Sequence, residues 1–448
     1  MYKRPEKKNK KKIVLLGIIV LLLCAIGYFV SIKFEWEKPS FYIIPELHIL
    51  GRQTAFRVVC EDRRSGIKSL RIEINQGDLV ISLFQKNYPP GIHHTEESVE
   101  VAPVSLGLKD GAALLRAKVQ DYSWFPGGNI REEEIEVIVD TRPPNINVLT
   151  RFHYLNQGGT GLIIYGASEK LARTGVNVGE TWFPGHQVEN KEFLCFFAVP
   201  HNATDQANVV LVSDDVAGNR THTHFPYRIR PKKFRKDTLI INEEFLRKVM
   251  PYFTDRDPSL TGDLIEVFLK ANQNLRMANT ETILELNQKT EKRILWSGPF
   301  LRLHNAKTMA HFADRRDYIY RGRKIDFQYH LGVDLASLTQ SPVKAANHGK
   351  VVFAEELGIY GNTVILDHGF GLFSMYGHLS QIDVQVDQIV EKGTHMGITG
   401  RTGLAGGDHL HFAVLVSGIF VNPIEWWDPH WIKDNVENKL ALLRDAEN

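Results

Sequence analysis

Cysteine is scarce in this chain of 448 residues, with three in all: Cys24, Cys60 and Cys195. None stands in a CxxC pair, which argues against a thiolate zinc site or a thiol redox motif. Cys60 and Cys195 fall in regions read below as separate, so a bridge between them is not the expected state. An excess of one charge is also missing. Lys and Arg total 54 against 52 Asp and Glu, a net charge of +2, which argues against a dedicated nucleic-acid binder. No GxSxG segment is present to supply a serine nucleophile. What remains is ordinary globular composition, 43% apolar and 24% charged, so global disorder is a poor description. The length predicts about three folded units.

One long apolar run stands out. Lys3, Arg4, Lys7, Lys8, Lys10, Lys11 and Lys12 precede the stretch from Ile13 to Ile32. About 20 apolar residues are enough to span a bilayer as helix. The basic flank should remain in the cytoplasm and the rest should face outward. A cleaved signal would have a shorter apolar core and a small-x-small site. The run ends instead in Gly27-Tyr28-Phe29-Val30-Ser31. Leu21-Leu22-Leu23-Cys24 resembles a lipoprotein signal, but Leu23 is bulky where a small residue is needed. The expectation is an uncleaved single-pass anchor in the cytoplasmic (inner) membrane, with residues 1–12 inside and 13–32 spanning.

Residues 41–144 read as β-structure. Leu70, Ile72 and Ile74 alternate with Arg71 and Glu73, and Ile135, Val137 and Val139 alternate likewise. Period two with one polar face indicates half-buried antiparallel strands. Asn75-Gln76-Gly77, Pro89-Pro90-Gly91 and Pro126-Gly127-Gly128-Asn129 are turn signals. A second β-unit is expected over 145–230. Its strand-then-turn from Val209 to Asn219 weakly repeats that from Leu114 to Asn129. Both units resemble immunoglobulin-like sandwiches in pattern. Over 242–295 the period changes: Leu264, Val267, Phe268, Ala271 and Leu275 share one helical face, and Asn279-Thr280 is read as a break between two helices. Residues 296–427 return to strand and turn composition, and 428–448 read as a short tail that helix can occupy.

The chemistry concentrates after residue 325. In Asp408-His409-Leu410-His411-Phe412 a strand would place both imidazoles on one face and Leu410 on the other. Such a pair is more often a solvated pair than a metal site, and His222-Thr223-His224 shows how easily the pattern arises. His330-Leu331-Gly332-Val333-Asp334 adds weight, because Gly332 and Val333 favour strand over helix. Catalytic zinc usually keeps three protein ligands and an open position for water. His330, Asp334 and one histidine of the pair make such a set.

The order of short segments then becomes specific. His330 to Asp334 is followed by Pro342-Val343, Ala345 and Gly349-Lys350-Val351. Tyr360-Gly361-Asn362-Thr363-Val364, His368-Gly369 and Tyr376-Gly377-His378-Leu379 come next. Thr399-Gly400-Arg401-Thr402-Gly403 and His409-Leu410-His411-Phe412 close the series. The region from about Gly322 to Trp427 thereby resembles the lysostaphin-type (LytM-like) peptidoglycan zinc metalloendopeptidases.

The resemblance implies one Zn2+ per chain held by His330, Asp334 and His411. It implies His409 as general base and His378 beside it, orienting the water or stabilising the oxyanion. It implies peptidoglycan as substrate, cut at peptide bonds of stem peptides or cross-links on the periplasmic or extracytoplasmic side, and no nucleic-acid partner. Some relatives lack metal ligands and activate wall amidases instead, so a non-catalytic regulator is the alternative. The fold expected is multidomain and mainly β: an N-terminal transmembrane helix, two immunoglobulin-like β-sandwich units, a helical segment packed near the groove, and a C-terminal antiparallel β-sheet metallopeptidase domain. His368 is expected to be structural, and His93-His94 and His222/His224 to lie on the surface. No partners are assigned to His311, His348, His395 and His430, and Asp408 has no evident role.

Overall fold

The structure is a computed structural model that describes residues 9–126, 128–189 and 191–444. Lys3, Arg4, Lys7 and Lys8 of the basic flank, Gly127 of one turn and the last four residues of the tail lie outside the described residues. The apolar run forms a helix, Asn9–Lys33. Within it Lys11–Ser31, 21 residues, is long and apolar enough to cross a membrane. At 1.5 Å per residue that is about 32 Å, close to the hydrocarbon thickness of a bilayer.

Two compact units follow from the contacts, residues 1–143 with 214–220, and residues 144–213 with 221–448. In the first, a three-stranded sheet (Ser40–Ile44, Thr54–Glu61, His94–Val101) faces a five-stranded one that includes Ile67–Gln76, Gly111–Asp121 and Ile130–Val139. Leu70, Ile72 and Ile74 from one sheet and Phe56 and Val58 from the other share a single core. The alternation does what period two requires, with Arg71 exposed and Glu73 half-buried between buried neighbours. The immunoglobulin-like comparison rests on sequence pattern alone. The weak repeat has a physical basis: Asn129 donates its backbone N–H and Nδ2 to Asp121 at 2.8 and 2.9 Å. Asn219 does the same to Asp215, at the same two distances.

In the second unit, Ile146–Val148, Thr160–Ala167 and Glu192–Ala198 pair in an antiparallel sheet. This region shares one hydrophobic core with the C-terminal region. Trp426 lies at its centre, fully buried, with ring centroids 5.3 Å from Trp296 and 6.2 Å from Phe196. The C-terminal region is built on a ten-stranded sheet. Its middle runs Val333–Ala336, Leu410–Val416, Leu372–Ile382, Asn362–Gly369, all antiparallel. Beside it, Lys236–Ile241 pairs in parallel with Asp314–Tyr320, which pairs with Arg323–His330.

One reading of the helical parts needs correction. Asn279-Thr280 does not break a helix. Leu264–Lys270, a π-turn at Ala271–Leu275 and Arg276–Leu286 run on without interruption. Asn279 is buried there because its Oδ1 accepts the Ile359 N–H at 2.9 Å, a partner that local sequence cannot reveal. The break lies earlier, after Glu243–Thr254, where Pro258 restricts Asp257 and Asp263 caps the next helix by accepting from Glu266 N. Residues 428–444 take up the helix that the tail reading allowed. They are helical, with Ile432 and Val436 buried and Lys439 Nζ donating to Leu162 O at 3.0 Å.

Glu425 sits where the two β-regions of this unit meet. Its carboxylate accepts Asn156 Nδ2 and Thr160 N, both at 2.8 Å. Burial pushes it up to about 7, from 4.5, against those hydrogen bonds. The folded protein therefore favours the neutral acid. The stability tied to it is fully present below pH 4.5 and is lost as pH rises through about 7. The whole swing is about 3 kcal/mol at 1.36 kcal/mol per pKa unit. Thermal unfolding followed at pH 5 and pH 8 should show a drop in the wild type that Glu425→Gln largely removes. Equal slopes in both proteins would contradict this.

Candidate active site

Strand register assembles the site. Asp314 stands opposite His330, and Asp334 opposite His411. His411 also pairs with Gly377, which places His378 next to the same spot. The chain turns at Leu331-Gly332 between two strands, so His330 and Asp334 face each other across that turn rather than along one helix. Gly332 has a specific reason: a Cβ there would lie 2.5 Å from the His411 ring.

Three donor atoms converge. His330 Nε2 is 2.8 Å from Asp334 Oδ1 and 3.1 Å from His411 Nδ1, and His411 Nδ1 is 3.0 Å from Asp334 Oδ1. All three residues are buried. His330 Nδ1 donates to the His311 carbonyl at 3.0 Å, which leaves Nε2 with its lone pair directed at the cluster. Bonds of 2.0–2.2 Å in a tetrahedron need donors about 3.3 Å apart, so a small expansion would accommodate zinc. The donor set, two imidazoles and one carboxylate, suits that ion chemically. Burial works against the charged form of Asp334, but the imidazoles of His330, His409 and His411, when protonated on the nitrogens that face it, hold it well below the usual carboxylate range. Burial likewise lowers His411, to about 4.

Two more histidines face the cluster. His378 Nδ1 donates to Thr402 O at 2.8 Å and His409 Nδ1 to Gly407 O at 2.8 Å. Each is thereby left with an accepting Nε2. Their ring centroids are 4.8 Å apart, and His409 Nε2 lies 3.6 Å from Asp334 Oδ1. Thr402 is the hub of the Gly400–Gly403 turn. Its hydroxyl donates to Leu379 O and accepts from Asn362 N, in a space left by Gly361. The turn therefore orients His378. Asp408 gains a role as a brace, accepting from Thr399 Oγ1 at 2.6 Å and from Gln340 N at 3.2 Å.

The structure brings together all five residues singled out by sequence. His368 stays away from them, buried, with Nδ1 on His348 O and Nε2 on Ser374 Oγ. His222 and His224 are exposed. Sequence reasoning missed Arg316, whose Nη2 donates to Asp334 Oδ2 at 2.9 Å. It stands 18 positions upstream on another strand, and no local pattern marks it. It also missed Tyr360, 5.3 Å from the His411 ring between centroids, although Tyr360-Gly361 lay within a segment already noted. The site opens into a cavity of about 330 Å³. Leu239, Ile240, Phe245, Phe268 and Arg276 form its other wall.

Residues 328–423 match the sequence model of peptidase family M23. This segment is an M23 peptidase domain. Over 98 residues the chain is 36% identical to the DD-carboxypeptidase/endopeptidase Mpg of Neisseria meningitidis serogroup B, covering 22% of this chain and 23% of that protein. Over 96 residues it is 36% identical to the peptidoglycan DD-endopeptidase ShyA of Vibrio cholerae, covering 21% and 22%. The match thus spans less than a quarter of these relatives. The catalytic domain of lysostaphin from Staphylococcus simulans is similar at 30% identity and TM-score 0.25, over 28% of this chain and 94% of that one.

Within the M23 domain, Gly332→Ala should push the His411 ring out of register. Titration with a divalent metal should show at least about tenfold weaker binding, the loss typical when a ligand's support is disturbed. The circular dichroism spectrum should not change. Wild-type metal affinity in the variant would contradict the packing argument.

Proposed function

We propose that this protein is a membrane-anchored zinc endopeptidase that hydrolyses peptide bonds in peptidoglycan stem peptides or cross-links. The observation that carries this reading is the convergence of His330 Nε2, Asp334 Oδ1 and His411 Nδ1 within 3.1 Å of one another. The named activities of the Neisseria and Vibrio relatives support the substrate class.

His330, Asp334 and His411 would hold the zinc ion, which would supply Lewis acidity toward the scissile carbonyl and make water more acidic. The protein does the rest. His409, with Nδ1–H committed to Gly407 O, accepts the water's proton at Nε2 and returns it to the leaving amine. His378, with Nδ1–H committed to Thr402 O, accepts a hydrogen bond at Nε2 and so orients the water. Arg316 donates to Asp334 Oδ2 and so fixes which carboxylate oxygen faces the ligand atoms. The apolar helix, Lys11–Ser31, anchors the chain in the cytoplasmic membrane with the domains outside.

Digestion of purified peptidoglycan by the full chain, with metal analysis, tests the proposal. His409→Ala should retain its zinc and lose turnover by about 10²-fold or more. His411→Ala should lose both, and chelation should abolish wild-type activity. An amidase-activating regulator would instead give no released peptides while still stimulating an amidase, and His409→Ala would not matter.

The wall formed by residues 239–276 restrains access to the groove in this reading. Phe245 lies beside Gly406, where an added Cβ would be 3.8 Å from its Cε2, and Lys248 Nζ donates to Gly406 O at 3.0 Å, three residues from His409. Removing these ties with Phe245→Ala and Lys248→Ala should weaken closure by about 1–2 kcal/mol. Turnover of polymeric peptidoglycan should rise about tenfold. Unchanged turnover would argue against a restraining role.

A further inference from the structure

A second group of buried acids lies in the first unit, apart from the M23 domain. Glu35, Asp62 and Asp121 each offer an oxygen within 4.8 Å of the others. They are 2%, 4% and 0% exposed. Among the described residues, no ion pair reaches any of the three. Backbone N–H groups meet part of the demand. Asp62 Oδ1 accepts from Arg64 N and Gly66 N, Asp121 Oδ1 from Ser123 N and Asn129 N, and Glu35 Oε1 from Ser65 N. Such bonds satisfy single carboxylates, yet they leave three like charges crowded in a dry space. Burial raises Glu35 further, and the charges of Asp62 and Asp121 add to it.

An independent feature points to a ligand. The Ser65 hydroxyl is fully buried, in a residue 2% exposed, and has no hydrogen-bond partner among the described residues. It lies near enough to the Glu35 carboxylate to favour its charged form, without the geometry of a hydrogen bond. An unpartnered hydroxyl oxygen beside the Glu35 carboxylate, itself grouped with two more acids, offers a neutral donor to a cation. The donors are all oxygen, with no imidazole or thiolate among them. That is the preference of a hard divalent ion, and calcium tolerates irregular geometry better than magnesium.

We propose that Glu35, Asp62 and Asp121, with the Ser65 hydroxyl, form a calcium site that clamps the segment leaving the apolar helix onto the first β-unit. Glu35 follows that helix directly, Asp62 and Ser65 lie in the turn after Thr54–Glu61, and Asp121 ends Gly111–Asp121. The same segment is already tied down without a cation: Asn129 Nδ2 donates to Glu35 O and Glu37 O at 3.0 and 3.1 Å, and Trp124 N to Lys33 O at 2.6 Å. Calcium would turn a set of single bonds into one stiff joint, and its affinity should be that of extracellular modules, about 10⁻⁴–10⁻³ M.

The test is calcium binding by the full chain in detergent micelles, by equilibrium dialysis with CaCl₂ after chelation, with MgCl₂ as a parallel arm. One saturable calcium per chain is expected, with weaker magnesium binding. Glu35→Gln and Asp62→Asn should each weaken it tenfold or more, and Ser65→Ala, the mildest change, several-fold. Zinc content and peptidoglycan turnover should be unchanged in all three, because none touches the M23 site. No saturable calcium binding up to 10 mM (about ten times the weakest expected constant) would overturn the proposal. So would wild-type binding in Ser65→Ala and Asp62→Asn, or equal affinity for magnesium.

Discussion

A buried carboxylate must be met by donors or by positive charge, and Asp334 is met from several sides at once. His330, His409 and His411 approach one of its oxygens, and Arg316 holds the other. In low dielectric, such an anion is costly unless compensated. That cost is also what gives the spot its attraction for a divalent ion. Remove Asp334 and the imidazoles have nothing to converge on; remove the imidazoles and the buried carboxylate keeps Arg316 as its one charged partner.

The surrounding fold serves this constraint. The central strand, Leu410–Val416, lies between Val333–Ala336 and Leu372–Ile382. One register therefore fixes His411 against Asp334 and against Gly377 together. A slip of one residue would turn every one of these side chains to the other face. The loops then fix ring orientation through backbone carbonyls: His311 O, Thr402 O and Gly407 O each take an Nδ1 proton. Three tautomers are thus set by main chain, which mutation of side chains cannot easily disturb.

Much of this was legible in one sequence. The run Ile13–Ile32, the period-two strands and the helical face from Leu264 to Leu275 all announce themselves by local spacing. So did the His409/His411 pair, because a strand projects residues i and i+2 to one side whatever its partners, whereas His378 and the choice of ligands came from the resemblance to the lysostaphin-type endopeptidases. Asn279 shows the limit. As a polar residue in a helical stretch it looked like a break, and only its hydrogen bond to Ile359 N, 80 positions away, explains its burial. Asp408 and Arg316 were opaque for the same reason, since their partners come from other strands.

By itself, then, the sequence determined which side chains were chemically able to hold an ion and which segments were strand, helix or apolar span. These follow from residue type and short-range period. Tertiary structure decided which nitrogen of each imidazole faces inward, that Arg316 neutralises Asp334, and that residues 239–276 wall the groove. It also decided that Glu35, Asp62 and Asp121 meet at all. Such facts depend on register and packing between segments far apart in the chain. No local period encodes them.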